Sequence, residues 1–193
     1  MNQKEKIIEV TTALINENHG DLNLVTARKI ADRAEVGLGL INYHFGSKDQ
    51  LVTECVQKIL TNQIKVYTPG DVGGGGTALE DEERLSNWAK QIFEFLYGNR
   101  SIVGISILGD MRNNLTISNS VYTQMGLEKA ICGNIDDSQK KQMIFTLTST
   151  MQEAFMQDNV VKSRLGYDLS KKEDRESYID SLVHMLFMGV SYE

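Results

Sequence analysis

Six residues between positions 38 and 48 are suited to gripping a polyanion and reading what it carries: Leu38, Gly39, Asn42, Tyr43, His44 and Lys48. A tyrosine phenol and a histidine ring can each donate to a phosphate oxygen, and a lysine supplies a compensating charge. The Asn42 amide can hydrogen-bond a base edge, and Leu38 or Leu40 can touch a thymine methyl. Gly37 and Gly39 remove side chains and let the backbone approach a duplex. The chemistry implied is non-covalent recognition of DNA.

Those residues need rigid elements to hold them, and local signals supply them. Thr26 is a natural N-cap, and Val25 and Ile30 can meet across it as a hydrophobic staple. The helix so started runs to about Ala34 and buries Ile30, Ala31 and Ala34. Glu35-Val36-Gly37 makes a turn, with Val36 filling the angle. A second short helix, Leu38 to His44, directs Ile41 and Phe45 to the core and is broken by Gly46. Ser47-x-x-Gln50 is a capping box that opens a long helix, which fades near Tyr67-Thr68-Pro69. Two short helices joined by a turn of this length form a helix-turn-helix, whose second helix enters the major groove. An amphipathic helix over 3–18, stopped at His19-Gly20, precedes the pair.

Thr26, Ile30-Ala31, Ala34, Val36, Gly39, Tyr43-His44-Phe45, Ser47-Lys48 and Leu51 together resemble the signature of the TetR family of transcriptional repressors. The resemblance covers about 50 residues without a gap. It implies that Thr26, Tyr43, His44 and Lys48 hold the DNA backbone, with Arg28, Leu38, Gly39 and Asn42 at base edges. The sequence departs from the family pattern at three places. Glu35 stands where glycine is common, Gly37 where serine or threonine is common, and Asn42 where tyrosine or a leucine-like residue is frequent.

Composition alone does not point to DNA. The chain of 193 residues carries a net charge of −6. Residues 1–66 hold eight basic and eight acidic side chains, so the whole excess of acid lies in 67–193, with twelve basic and eighteen acidic. A single proline and few β-branched runs favour helices. No run of about 18 apolar residues implies a membrane span, and the N-terminal residues MNQKEKIIEV lack the pattern of a secretory signal. Cys55 and Cys132, both placed in apolar helical stripes, offer no ligand cluster or disulfide framework. No metal, cofactor or catalytic constellation is expected, and a cytoplasmic protein that is not an enzyme fits these features.

The expected architecture is all-α: an N-terminal three-helix helix-turn-helix DNA-binding domain (1–66, helix four linking onward) and an all-helical domain (67–193). Residues 69–76, PGDVGGGG, mark the boundary. Beyond it, Thr77-x-x-Glu80 caps a helix ending at Gly98. A glycine-interrupted apolar segment spans about 101–113, and a helix covers 117–132 with Val121, Tyr122 and Met125 facing inward. Asp136 or Asp137 caps a long helix to about Asp158, and Ser170-x-x-Glu173 caps the last. By resemblance, this second domain binds a small-molecule effector and pairs two subunits. The apolar faces at 143–155 and 178–190 are candidates for a pairing surface that a monomer would leave exposed. Trp88, Phe93, Tyr122, Met125, Met151 and Phe155, large and inward-facing, are the candidate effector contacts, for an apolar or weakly polar molecule. The leading expectation is a homodimeric repressor released from a double-stranded operator by an effector. A DNA-binding regulator controlled by a protein partner or by abundance is the alternative.

Overall fold

The computed structural model describes residues 2–67, 76–113, 118–188 and 190. Among these, ten α-helices and one short 3-10 turn account for the regular structure, with no strand. In chain order the helices are α1 (Gln3–Glu17), α2 (Ala27–Ala34), α3 (Leu38–Phe45), α4 (Lys48–Tyr67) and α5 (Ala78–Gly98). They continue as α6 (Arg100–Asn113), α7 (Asn119–Leu127), α8 (Asp137–Met156), α9 (Asp158–Leu165) and α10 (Lys172–Phe187). The chain divides into two compact units. One holds residues 1–65 with 99–119, the other 66–98 with 120–193. The linear boundary expected near residue 66 is therefore interrupted, because 99–119 packs with the N-terminal helices. The expected linker 69–76 lies outside the described residues except for Gly76.

In the first unit, the caps do what their residue types allow. Asn2 and Glu5 form a reciprocal capping box on α1. Asn18 ends that helix, and His19 and Gly20 turn the chain with φ of 50° and 79°. The Thr26 hydroxyl oxygen accepts from Lys29 N at 3.2 Å, and Val25 and Ile30 are both fully buried beside it. Glu35 closes α2 in the left-handed region, with φ 55° and ψ 45°. That conformation favours glycine, so the turn keeps its geometry with a residue poorly suited to it, and Lys6 Nζ holds the Glu35 carboxylate at 2.8 Å. The Ser47 hydroxyl accepts from Gln50 N at 3.2 Å. Ile7, Ile15, Ile30, Ile41, Leu51 and Val56 form the centre of this unit, each essentially excluded from solvent. Truncating one of them to alanine costs about 2–5 kcal/mol.

α6 joins this core through polar as well as apolar contacts. Gln57 Nε2 on α4 donates to Asp110 Oδ1 at 3.1 Å. Asn119 Nδ2 donates to the Gln57 carbonyl at 3.3 Å and to the Ser106 hydroxyl at 3.0 Å. A methyl placed on Gly109 would lie 2.9 Å from Thr53 Cγ2, so glycine is what lets α6 come this close to α4.

In the second unit, α5 packs mainly on α10, and α8 packs on both. Thr77 and Glu80 form the expected reciprocal capping box, and the Asp136 carboxylate caps α8 through Gln139 N at 2.9 Å. Asp81, fully buried, accepts from Cys132 N at 3.0 Å and Gly133 N at 2.8 Å and pairs with Arg84. Arg84 Nε in turn donates to the Ala130 carbonyl at 3.1 Å, which pins the loop after α7 to α5.

Several expectations need correction here. The helix expected over 117–132 is shorter: α7 ends at Leu127 and a 3-10 turn, Glu128–Ala130, follows. Cys132 consequently sits in a loop rather than in a helical stripe. The long helix stops at Met156, where Gln157 breaks regular geometry, and α9 follows as an additional helix. Ser170 does not cap α10. Its N–H and hydroxyl both donate to Asp168, and Lys171 takes the cap position without a side-chain bond.

Candidate nucleic-acid interface

All eight anticipated residues lie in the first unit: Thr26 caps α2, Arg28 is on it, Leu38, Gly39, Asn42, Tyr43 and His44 are on α3, and Lys48 opens α4. Thr26, Arg28, Leu38, Gly39, Asn42 and Tyr43 are exposed, while His44 and Lys48 are half-buried. Tyr43 is 81% exposed, which rules out a packing role for that ring. It stands edge-on to His44 at 5.0 Å between centroids, and His44 is in turn 6.1 Å from Phe45, which is buried. One buried aromatic thus anchors a row of two rings whose polar atoms reach outward.

Capping explains how two hydroxyls can serve twice. Thr26 and Ser47 accept backbone N–H bonds through oxygen lone pairs, and the O–H of each can still donate to a phosphate oxygen. Ser47 was not among the anticipated contacts. Its position one residue before Lys48, as a cap at the start of α4, is the signal that identifies it.

The cations of this unit differ in how they are committed. Arg33 is bound bidentately by Glu17 at 2.5 and 2.7 Å, which lowers the Glu17 pKa and raises that of the guanidinium. Lys6 holds Glu35, depressing the Glu35 pKa. Lys29 Nζ donates to the Leu24 carbonyl at 3.1 Å. Lys4 lies 3.5 Å from Glu54 and 5.3 Å from the Phe45 ring centroid. Among the described residues, Lys48 pairs with Asp49 alone, at 3.9 Å. Arg28 is exposed on α2 and takes part in none of these pairs. Recruiting α6 adds Arg100, Arg112 and Asp110 to the unit, whose formal charge becomes +1.

In the second unit the anticipated effector residues separate. Phe93, Met151 and Phe155 are buried and Trp88 is half-buried. Tyr122 and Met125 are 41% and 55% exposed, so the inward orientation expected for them is incorrect: α7 turns these two side chains to solvent. Phe93 and Phe155 belong to an aromatic cluster completed by residues not anticipated. Tyr97 lies 5.2 Å from Phe93 and 5.5 Å from Phe155, Tyr178 is 6.1 Å from Phe93, and Tyr167 is 5.4 Å from Tyr178. Tyr97 sits one helical turn after Phe93, and Tyr178 lies on the buried stripe of α10, so spacing alone could have suggested both. Burial, helped by Tyr167 and Tyr97, raises the Tyr178 pKa. Arg175 closes one side of the cluster, 4.9 Å from the Tyr97 ring centroid and bound bidentately by Glu94 at 2.6 and 2.7 Å. Among the described residues no group of three or more His, Cys, Asp or Glu side chains is arranged to hold a metal ion, and no helix is long and apolar enough to cross a membrane.

The fold of the first unit and the exposed row on α3 form a helix-turn-helix, the class of element that enters a DNA major groove. Residues 7–55 match the family model described as bacterial regulatory proteins, tetR family. The whole chain shares its fold with solved regulators at low identity. A transcriptional regulator from Rhodococcus sp. Rha1 aligns over 98% of both chains at 16% identity with a TM-score of 0.59. A TetR transcriptional regulator from Agrobacterium tumefaciens aligns over 99% of this chain and 95% of its own, at 16% identity and a TM-score of 0.54. The multidrug binding protein EbrR, complexed with imidazole, aligns over 96% and 95% at 16% identity with a TM-score of 0.55. No curated protein sequence matches the chain. Residues 7–55 thus match the tetR-family module, and the chain as a whole has the fold of these solved regulators.

Proposed function

We propose that this protein is a homodimeric repressor that leaves its operator when a small apolar or aromatic molecule binds the second unit. The observation that carries the DNA half of this reading is Tyr43, an aromatic side chain 81% exposed on a short helix beside Lys48 and two capping hydroxyls. In this reading Thr26, Tyr43, His44 and Lys48 grip phosphates, and Arg28, Leu38, Gly39 and Asn42 lie at base edges. Two subunits would present their α3 helices to half-sites about 34 Å apart. The effector lowers operator affinity by favouring a state in which that spacing is lost. The printed description of EbrR as a multidrug binding protein supports a ligand role for the second unit. The aromatic cluster around Phe93, Tyr97, Phe155 and Tyr178, largely buried within the unit, has the matching chemistry. A cytoplasmic location accords with a DNA target.

The pairing surface is narrower than helical periodicity implies. Met143, Ile144, Leu147, Met151 and Phe155 on α8, and Ile179, Leu182, Val183 and Phe187 on α10, are buried inside the unit itself. What remains outside is Phe145 and Met156 on α8, with Met185 on α10 and Met188 just beyond it. These side chains are 37–75% exposed, and a second copy would cover them. Light scattering at micromolar concentration tests the dimer: the native protein should have twice the monomer mass and Phe145→Glu should not. A native monomer would refute the pairing. Fluorescence anisotropy on an operator selected from random duplexes tests release, in parallel with a thermal-shift screen of aromatic and apolar metabolites. A compound that stabilises the protein should also lower operator affinity. Stabilisation without loss of DNA binding would refute the induction mechanism.

A further inference from the structure

Leu38 is 52% exposed in the first turn of α3, and it stands between two residues without side chains. A methyl placed on Gly37 or on Gly39 would meet no protein atom within 4 Å, and neither has a positive φ. Internal packing therefore does not require glycine at either position. Glycine is a poorer helix residue than alanine, and Gly37 leaves α3 without a side-chain cap. A bare position inside the helix, Gly39, and an apolar side chain held in water are each unfavourable for the protein alone, while glycine at the cap position 37 costs little. Both become favourable if the first turn of α3 is pressed against another surface that presents an apolar group of about methyl size.

We propose that Leu38 is a specificity-determining residue that reads the C5-methyl of a thymine in the major groove, with Gly37 and Gly39 clearing the backbone for that approach. The inference rests on the assignment of α3 as the base-reading helix. Leu40, the other apolar residue of the first turn, is half-buried and committed to packing. The thymine methyl is the apolar group that the major-groove edges of the base pairs display. Asn42 lies one turn further along the same face and is exposed. Its amide matches the adjacent donor and acceptor of adenine, so the operator should present A·T pairs to both positions.

The test uses the full-length protein and a duplex site selected from a random pool. Each thymine of a half-site is replaced in turn by deoxyuridine, which deletes only the methyl. At one thymine the replacement should weaken native binding about fourfold, the effect of removing one buried methyl. Leu38→Ala should bind the thymine and deoxyuridine duplexes equally. Gly39→Ala should melt no lower than the native protein, since its added methyl meets nothing, yet bind the site at least tenfold more weakly. Insensitivity to deoxyuridine at every thymine overturns the proposal while leaving DNA binding intact. So does equal sensitivity in the native and Leu38→Ala proteins, or native-like binding by Gly39→Ala. Failure to select any duplex overturns both the proposal and the recognition-helix reading on which it rests.

Discussion

Replacing Lys48 by alanine should change the salt dependence of operator binding more than it changes the fold. Lys48 is the first residue of α4, its side chain is one-third exposed, and its nearest carboxylate is Asp49 at 3.9 Å. Binding to duplex DNA releases counterions, so log K falls with log salt by about 0.9 per phosphate contact. A dimer that loses one such contact per subunit should have a slope shallower by about 1.8. Between roughly 50 and 200 mM salt, the ratio of native to variant affinity should then fall about twelvefold. Arg33→Gln is the matched control, because that guanidinium is already held bidentately by Glu17. Anisotropy titrations at four or five salt concentrations give both slopes. If the Lys48→Ala line runs parallel to the native one, Lys48 touches no phosphate and the assignment is wrong. If Arg33→Gln flattens the slope as much, commitment to an internal carboxylate does not decide which cations meet DNA.

Thr26→Val removes the α2 cap and should lower stability by about 1 kcal/mol, while Thr26→Ser should retain both the cap and operator affinity; urea denaturation and gel shifts read the two effects separately. Arg175→Met removes a bidentate pair with Glu94, bonds to the Leu169 and Ser170 carbonyls and a cation–ring contact. Because Glu94 can rehydrate, the loss is set near the low end, about 2 kcal/mol, or about 4–8 °C in melting temperature. The Arg175 hydrogen bonds hold the Glu94 carboxyl below its usual range, so their stabilisation is present above pH about 4.3 and fades as acid protonates Glu94. The gap between native and Arg175→Met proteins should therefore narrow below pH about 4, and a constant gap would refute the linkage. Burial pushes the Cys55 thiol up to about 11, whereas Cys132 is half-buried in a loop. Ellman's reagent at neutral pH should modify one thiol in the native protein and two after unfolding, with Cys132→Ser abolishing the fast phase.

The helix-turn-helix was legible because its determinants are local. Thr26, Ser47 and the Val25/Ile30 staple lie within five residues of the groups they satisfy, so their types and spacing are enough to state their partners. The features that escaped the sequence depend on distant partners. Ser170 looked like a cap, but Asp168 captures both its N–H and its hydroxyl, and α10 starts one residue later. Periodicity ran past Gln157 without marking the break, and α9 went unseen. Tyr122 and Met125 share a face of α7, yet nothing in a nine-residue helix without a charged side chain says which face meets the core. The affiliation of α6 is the clearest case. Gly104 and Gly109 looked like interruptions, whereas Gly109 is the point of closest approach to Thr53, and Gln57 and Asp110, 53 residues apart, find each other across it.

The net charge of the first unit also takes on a different meaning once its pairs are known. A segment with equal numbers of acids and bases gives no electrostatic reason to expect DNA. Charge counts, however, treat every residue as equally available. Glu17 and Glu35 each neutralise a cation on another helix, Arg33 and Lys6. Those acids subtract from cations that hold the helices together, and not from Arg28, which takes part in no such pair. Near-neutrality is then compatible with a locally positive face, because the field a duplex meets at contact is set by charges within a Debye length, about 8 Å at physiological salt. Glu35 shows that the pairing is also mechanical. It occupies a left-handed position that glycine would fill with less strain, but glycine could not reach Lys6. The side chain that departs from the family pattern is therefore also the one that ties the turn of the helix-turn-helix to α1.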